Sequence, residues 1–194
     1  NAIDIAIVSH PEKDHFYGFI PVMERYRIGA FVLTGRGNEA NPESWSEFIA
    51  EVRARKIPMI TVKEGDRIRY GRNRITFIGP PSSAMQSAEL NDTGLVAKAE
   101  CEKFSVLLVA DIDERIDQYL LSAHEISADV LKVGHHGSKY SSSEEFLNAV
   151  RPRIAVIGVG IRNRYGHPAP QALERLLEAG TRVFRTDTAG TIQI

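Results

Sequence analysis

The sequence is short of several things at once, and each shortage removes a class of protein. Its single cysteine, Cys101, excludes an internal disulfide and any multi-cysteine zinc site, and indicates no cysteine-linked partner. No apolar run approaches the roughly 20 residues that span a bilayer, and the stretch from Asn1 to Ser9 lacks the basic end of a secretion signal. An excess of one charge is missing too: 24 Lys and Arg against 25 Asp and Glu leave a formal net charge of −1, without the basic surplus that marks a nucleic-acid surface. Aromatic residues make up only 8% of the chain, which offers no obvious platform for stacking a strand of bases. Repeats, low-complexity tracts and linkers are absent. What remains is 43% hydrophobic and 25% charged residues over 194 positions, the balance of one globular domain spanning 1–194. A metal ion in such a chain depends on His and carboxylate ligands.

The apolar pattern orders the chain. Asn1 to Ser9 reads as a buried β-branched strand that ends on the polar run His10-Pro-Glu-Lys-Asp-His15. Phe16, Phe19, Ile20 and Met23 follow at helical spacing, with Pro21 tolerated in a first turn. A strand at Ala30 to Leu33 precedes Asn41-Pro42, a cap and first-turn proline for a helix with Trp45, Phe48, Ile49 and Val52 on one face. From Ile57 to Ala110 the period falls to two, predicting mainly antiparallel sheet. It includes a hairpin of Asp66 to Tyr70 and Arg74 to Ile78, then strands at Leu95 to Ala99 and Phe104 to Ala110. After Asp111, helices at about 114–122, 143–150 and 170–179 alternate with strands at 129–133, 154–159 and 183–185. Ser141 and Glu144 have the spacing of a capping box. The pattern predicts a layered α/β sandwich with polar residues gathered at strand ends.

Three of those ends carry metal-ligand chemistry. His10 and Glu12 stand two apart in an extended segment and project the same way, so one ion can take both; Asp14 and His15 then face a second. Asp111 closes the apolar strand Val106 to Ala110, and Asp113 competes with it for the role of helix cap, leaving Asp111 to bridge two ions roughly 3.5–4 Å apart. His135 and His136 end a third strand inside Gly134-His-His-Gly-Ser138, where one binds metal and the other meets substrate or orients a ligand. Alone, each segment also fits a capped, solvated loop; their recurrence at three strand ends argues for a site. His167, in Asn163-Arg-Tyr-Gly-His-Pro168, reads as a proton donor or phosphate contact, or else as a helix-entry residue before Pro168. Ser138, Lys139 and Arg164 add substrate contacts, with Arg162 nearby. His124 reads as an exposed helical residue and Cys101 as part of a turn, neither with a role.

Taken together these residues resemble the metallo-β-lactamase fold, and within it the C-terminal domain of ComEC-type competence DNA-uptake proteins. The resemblance spans nearly the whole chain. It is carried most specifically by Asp129-Val-Leu-Lys-Val-Gly-His-His-Gly-Ser138, by Ser141 to Pro152, by Asn163 to Pro168 and by Arg185-Thr-Asp187. It implies an αββα sandwich short of its N-terminal strands, as a fragment of a longer chain. The superfamily's H-x-H-x-D-H signature falls on His10, Glu12, Asp14 and His15, its bridging carboxylate on Asp111 and its late histidine on the His135-His136 pair. Glu12 replaces a usual His, which makes the site richer in oxygen. Another superfamily histidine is replaced in Asn91-Asp92-Thr93-Gly94.

The resemblance implies two divalent ions, manganese or zinc, that activate water for attack on a DNA phosphodiester, with Asp14, His136 and His167 as catalytic residues. The expected partners are DNA, single-stranded or duplex, and a membrane channel portion of the same longer chain. That places the domain outside the cytoplasm; a free protein of this kind is expected inside it. Two other readings stay open: hydrolysis of a small phosphodiester or ester, and a metal-poor binding module.

Overall fold

The structure, a computed structural model, describes residues 1–39 and 42–194, so the cap expected at Asn41 lies outside the described residues. The apolar first strand, β1 (Ala2–Ile7), runs into two short helices, α1 (Lys13–Phe16) and α2 (Phe19–Arg25). The sequence pattern suggested one helix here. Pro21 has no N–H to give to the Tyr17 carbonyl, so the helix restarts at Phe19 and takes Pro21 into its first turn. Next come β2 (Arg27–Leu33), α3 (Pro42–Ala54) and β3 (Met59–Thr61). β3 lies parallel to β2, and β2 parallel to β1, so this part of the expected antiparallel region belongs to a separate three-stranded parallel sheet in the order β1-β2-β3.

The second sheet has seven strands. β4 (Arg67–Tyr70), β5 (Asn73–Gly79), β6 (Val96–Cys101) and β7 (Phe104–Leu108) form the antiparallel meander that the period of two predicts. Cys101 is the last residue of β6 rather than part of the turn. After α4 (Glu114–Ala123) the chain adds β8 (Val130–Lys132), α5 (Glu144–Val150), β9 (Ile154–Ile157), α6 (Pro170–Glu178), β10 (Arg182–Arg185) and α7 (Thr186–Ala189). β7, β8, β9 and β10 pair in parallel, and the full order is β10-β9-β8-β7-β6-β5-β4.

Three clusters of buried side chains define four layers. Phe16, Met23, Phe48 and Val52 pack the first three helices on the three-stranded sheet. Leu107, Leu131, Ile157, Ile116, Leu120, Phe146 and Leu176 join α4, α5 and α6 to the larger sheet. Between the sheets lie Val32, Val62, Phe77, Leu95 and Ala97. The result is an αββα sandwich. The smaller sheet covers part of the larger one: Leu108, which shares a face with the buried Ala97 opposite it, keeps 38% of its surface exposed.

Two local readings change. The cap of α5 is Ser143, whose Oγ accepts from the Phe146 N–H at 3.2 Å. Ser141 cannot serve because its Oγ donates to the Gly134 and Ser138 carbonyls. His124 ends α4 half-buried, with Nε2 2.6 Å from Glu64 Oε1. Among the described residues no helix is long and apolar enough to cross a membrane.

Candidate metal centre

Because β7, β8 and β9 run in parallel, the segments after them emerge at one edge of the sheet, where open α/β sheets place their ligands. Asp111 follows β7, the His135-His136 pair follows β8, and the loop 158–169 follows β9. The fourth segment, Ser9 to His15, leaves β1 of the other sheet and is tied across by the Leu95 N–H to Ser9 carbonyl bond at 2.9 Å. Asp113 takes the cap of α4, accepting from the Arg115 N–H, which leaves Asp111 free as expected from the sequence.

The side chains converge closely. His15 Nε2 lies 3.2 Å from Asp111 Oδ2 and 3.6 Å from Asp14 Oδ2. His136 Nε2 lies 3.2 Å from Asp111 Oδ2 and 3.4 Å from Asp14 Oδ2, and neither contact has hydrogen-bond geometry. The rings of His10 and His15 are 4.1 Å apart. Ligand atoms form two overlapping groups, one of His10, His15 and Asp111 and one of Asp14, His15 and His136. This alters the division suggested by spacing. His15 stands in both groups, and Glu12 in neither: its Oε2 stays 3.7 Å from His10 Nε2 at the cavity wall. The chain turns into α1 directly after Glu12, so Asp14 and His15 swing beneath it.

The atoms on the far side of each ring explain the aim. Ser9 Oγ lies 3.1 Å from His10 Nδ1 and 3.2 Å from His15 Nδ1, and the Gly158 carbonyl accepts from His136 Nδ1 at 2.7 Å. Occupying Nδ1 leaves Nε2 as the ligand atom and fixes the ring plane. Within the two ligand groups, His10 Nε2, His136 Nε2 and Asp111 Oδ1 are buried without a hydrogen-bond partner. Orphaned buried atoms of this kind are expensive unless something else binds them. A donor set of imidazole nitrogens and carboxylate oxygens, with unsatisfied atoms turned inward, fits divalent ions.

Electrostatics agree. Burial works against a charge on Asp111, but His136 and His15 outweigh it and hold the carboxyl well below the usual range. Asp14 is lowered chiefly by His136. Asp111, then Asp14, pushes the His136 imidazole up to about 10. An ion bound here takes the place of that proton, as metal sites generally do. Burial first, then His135 and His136, pulls His167 down.

The loop geometry is unusual. Ala110, His135 and His136 have φ of 48°, 45° and 52°, a left-handed conformation costing non-glycine residues on the order of 1–2 kcal/mol each. Gly137, at φ +82°, packs so closely on Pro168 that an added Cβ would come within 2.6 Å of its Cβ. The Ala169 N–H to Gly137 carbonyl bond, 2.8 Å, then locks the two loops together.

A cavity of about 700 Å³ opens over the cluster, lined by Glu12, Asp14, Asp111, His135, His136 and His167, with Asn91, Lys13, Tyr17 and Tyr165 around them. His135 turns from the ligand groups towards His167, ring centroids 5.6 Å apart. Ser138 is buried in the turn and donates its N–H to the His135 carbonyl; it, Lys139 and Arg164 are not among the lining residues. Sequence reasoning gave no role to Ser9, Tyr17, Tyr165 or Lys132. Lys132 Nζ donates to the Val133 carbonyl beneath the histidine loop, and burial lowers its pKa. Nothing in the local sequence marks Ser9 as an orienting residue. Of the two positions in Asn91-Asp92, Asn91 lines the cavity with its Oδ1 unpaired, while Asp92 binds Arg115 and Ser87.

The fold is that of a metallo-β-lactamase-fold protein. Three solved structures share it: the diiron β-hydroxylase CmlA of Streptomyces venezuelae (TM-score 0.62, 12% identity, 95% of this chain and 44% of that one), the metallo-β-lactamase fold protein YhfI of Bacillus subtilis (0.55, 11%, 94% and 75%) and Zn²⁺-bound PqqB of Methylobacterium extorquens (0.55, 12%, 94% and 71%). In sequence the chain is similar to competence proteins of the ComEC kind. It is 32% identical over 192 residues to ComE operon protein 3 of Bacillus subtilis, covering 98% of this chain and 24% of that protein. It is 31% identical over 188 residues to Recombination protein 2 of Haemophilus influenzae, covering 97% and 22%. The chain thus spans about a quarter of the length of the curated relatives it matches. No family model matches it.

Proposed function

We propose that this chain is a single metal-dependent phosphodiesterase domain, 1–194, of a longer DNA-uptake protein, acting on DNA. The observation that carries the reading is the convergence of His10, His15 and His136 nitrogens with the Asp14 and Asp111 carboxylates, several of them unpaired and buried, where Asp14, Asp111 and His136 line one cavity. His10, His15 and Asp111 would hold one divalent ion, and Asp14, His15 or Asp111, and His136 a second, manganese or zinc; Glu12 closes the rim. Such ions, when bound, bring the pKa of water to about 7 and offset charge on phosphoryl oxygens.

The chain's own residues do the rest. Asp111 and Asp14 orient and charge-balance the centre, and Ser9 and Gly158 aim the rings. His167, which lines the cavity, donates a proton to the leaving oxygen. The likeness to competence proteins supports DNA as substrate and a membrane channel elsewhere in the longer polypeptide, with this domain outside the cytoplasm.

The test is Asp111→Ala, assayed for metal uptake and for cleavage of DNA with manganese or zinc. We expect loss of at least one bound ion and a drop in cleavage of two or more orders of magnitude. Wild-type cleavage by the variant under metal-replete conditions would overturn the reading.

A further inference from the structure

The chain is poor in aromatics, yet the fold sets a succession of neighbouring rings at the cavity. His136 and His135 have centroids 6.4 Å apart, His135 and His167 5.6 Å, and His167 and Tyr165 6.1 Å. The last pair is nearly parallel, at 18° between ring planes, so Tyr165 stacks on the His167 ring. Tyr165 is 85% exposed and still lines the cavity. Tyr17 also lines the cavity, 36% exposed, with Lys13 Nζ 4.6 Å above its ring.

Tyr165 is held in place despite its exposure. Asn163 staples the loop: its Oδ1 accepts from the His167 N–H at 2.9 Å, and its Nδ2 donates to the His167 carbonyl at 2.8 Å and the Gly160 carbonyl at 3.2 Å. Pro168, buried against Gly137, anchors the loop's far end. A tyrosine whose ring contacts little of its own protein, on a fastened loop beside a metal-ligand cluster, presents an open π-face to whatever enters. Arg162 and Arg164 flank it, both exposed, and suit a phosphate backbone.

We infer that Tyr165 is a base-stacking residue and that the site takes phosphodiesters of unpaired nucleotides, the base next to the scissile phosphate lying on the Tyr165 ring. This rests on the phosphodiesterase reading and narrows it. A base inside a duplex has both faces covered by its neighbours and cannot take this position without unstacking, whereas bases of a single strand stack on protein aromatics irrespective of sequence.

The experiment measures binding by fluorescence anisotropy in chelator, so that no turnover intervenes. The probes are a short labelled oligothymidylate and an oligomer of equal length whose residues are abasic. Wild type is expected to favour the base-bearing probe by about tenfold or more, in line with the loss seen when a stacking aromatic becomes alanine. Tyr165→Ala should collapse that ratio towards one, and Tyr165→Trp should keep it. Cleavage of oligothymidylate and of a chromogenic phosphodiester is measured alongside. An undiminished ratio in Tyr165→Ala would overturn the inference, while cleavage by wild type lost in Asp111→Ala would leave the hydrolase reading standing. A ratio that depends on Tyr165 without cleavage of either substrate would uphold the stacking site and remove the hydrolase reading.

Discussion

Ser9 shows how one small side chain shapes the centre. Its hydroxyl meets Nδ1 of both His10 and His15, so it sets which nitrogen each ring offers. Ser9→Ala removes that constraint and little buried volume. Outer partners of this kind are typically worth about 10–100-fold in metal affinity, and chelator competition should show a loss of that size with the fold intact; unchanged affinity would contradict the role. Away from the centre, burial pushes the Asp117 carboxyl up to about 7 from 3.8. The folded state therefore keeps a proton that the unfolded chain has released between those values, and stability falls as pH rises from about 4 to about 7. Asp117→Asn ends that dependence and keeps an oxygen for the Ser143 N–H. Urea melts should show the variant more stable than wild type at pH 8, by on the order of 2–4 kcal/mol, and close to it near pH 4; parallel pH profiles would refute this. The residues that converge at the centre stand out in the sequence because His and Asp recur at strand ends. Their grouping does not, because it depends on the turn into α1 and on ring orientations set by Ser9 and Gly158.

Elements were readable where a period was long enough to repeat. The meander β4 to β7 and the helices α3, α4 and α6 follow their apolar patterns closely. Errors fell where one residue decides between neighbouring states: Pro21 split a helix, and the cap of α5 moved to Ser143 because Ser141 was already bonded to Gly134. β3 has three residues, too few for a pattern to reveal that its partner is β2. At this scale the joint between the histidine loop and the loop after β9 is the most sensitive point. Gly137→Ala meets both the Pro168 contact and an unfavourable φ, so we expect a thermal destabilisation of several degrees together with weaker metal binding. Loss of stability without any change in metal affinity would show that the joint does not position His136.

At the scale of the molecule, two sheets of unequal size bring four segments far apart in sequence to one edge. The alternation of strand and helix made the layered class legible, and the resemblance extended it to the αββα sandwich. Neither showed how the smaller sheet sits over the larger, since that depends on packing between residues such as Val32 and Phe77 that no local pattern records. The central claim is that His10, Asp14, His15, Asp111 and His136 together hold divalent metal. It is tested most directly by metal stoichiometry: isothermal titration of chelator-stripped protein with manganese and with zinc, beside elemental analysis of the reconstituted chain and of Asp111→Ala. Close to two ions per wild-type chain are expected, and at most one in the variant. Binding of less than one ion per wild-type chain, or equal binding by the variant, would contradict it.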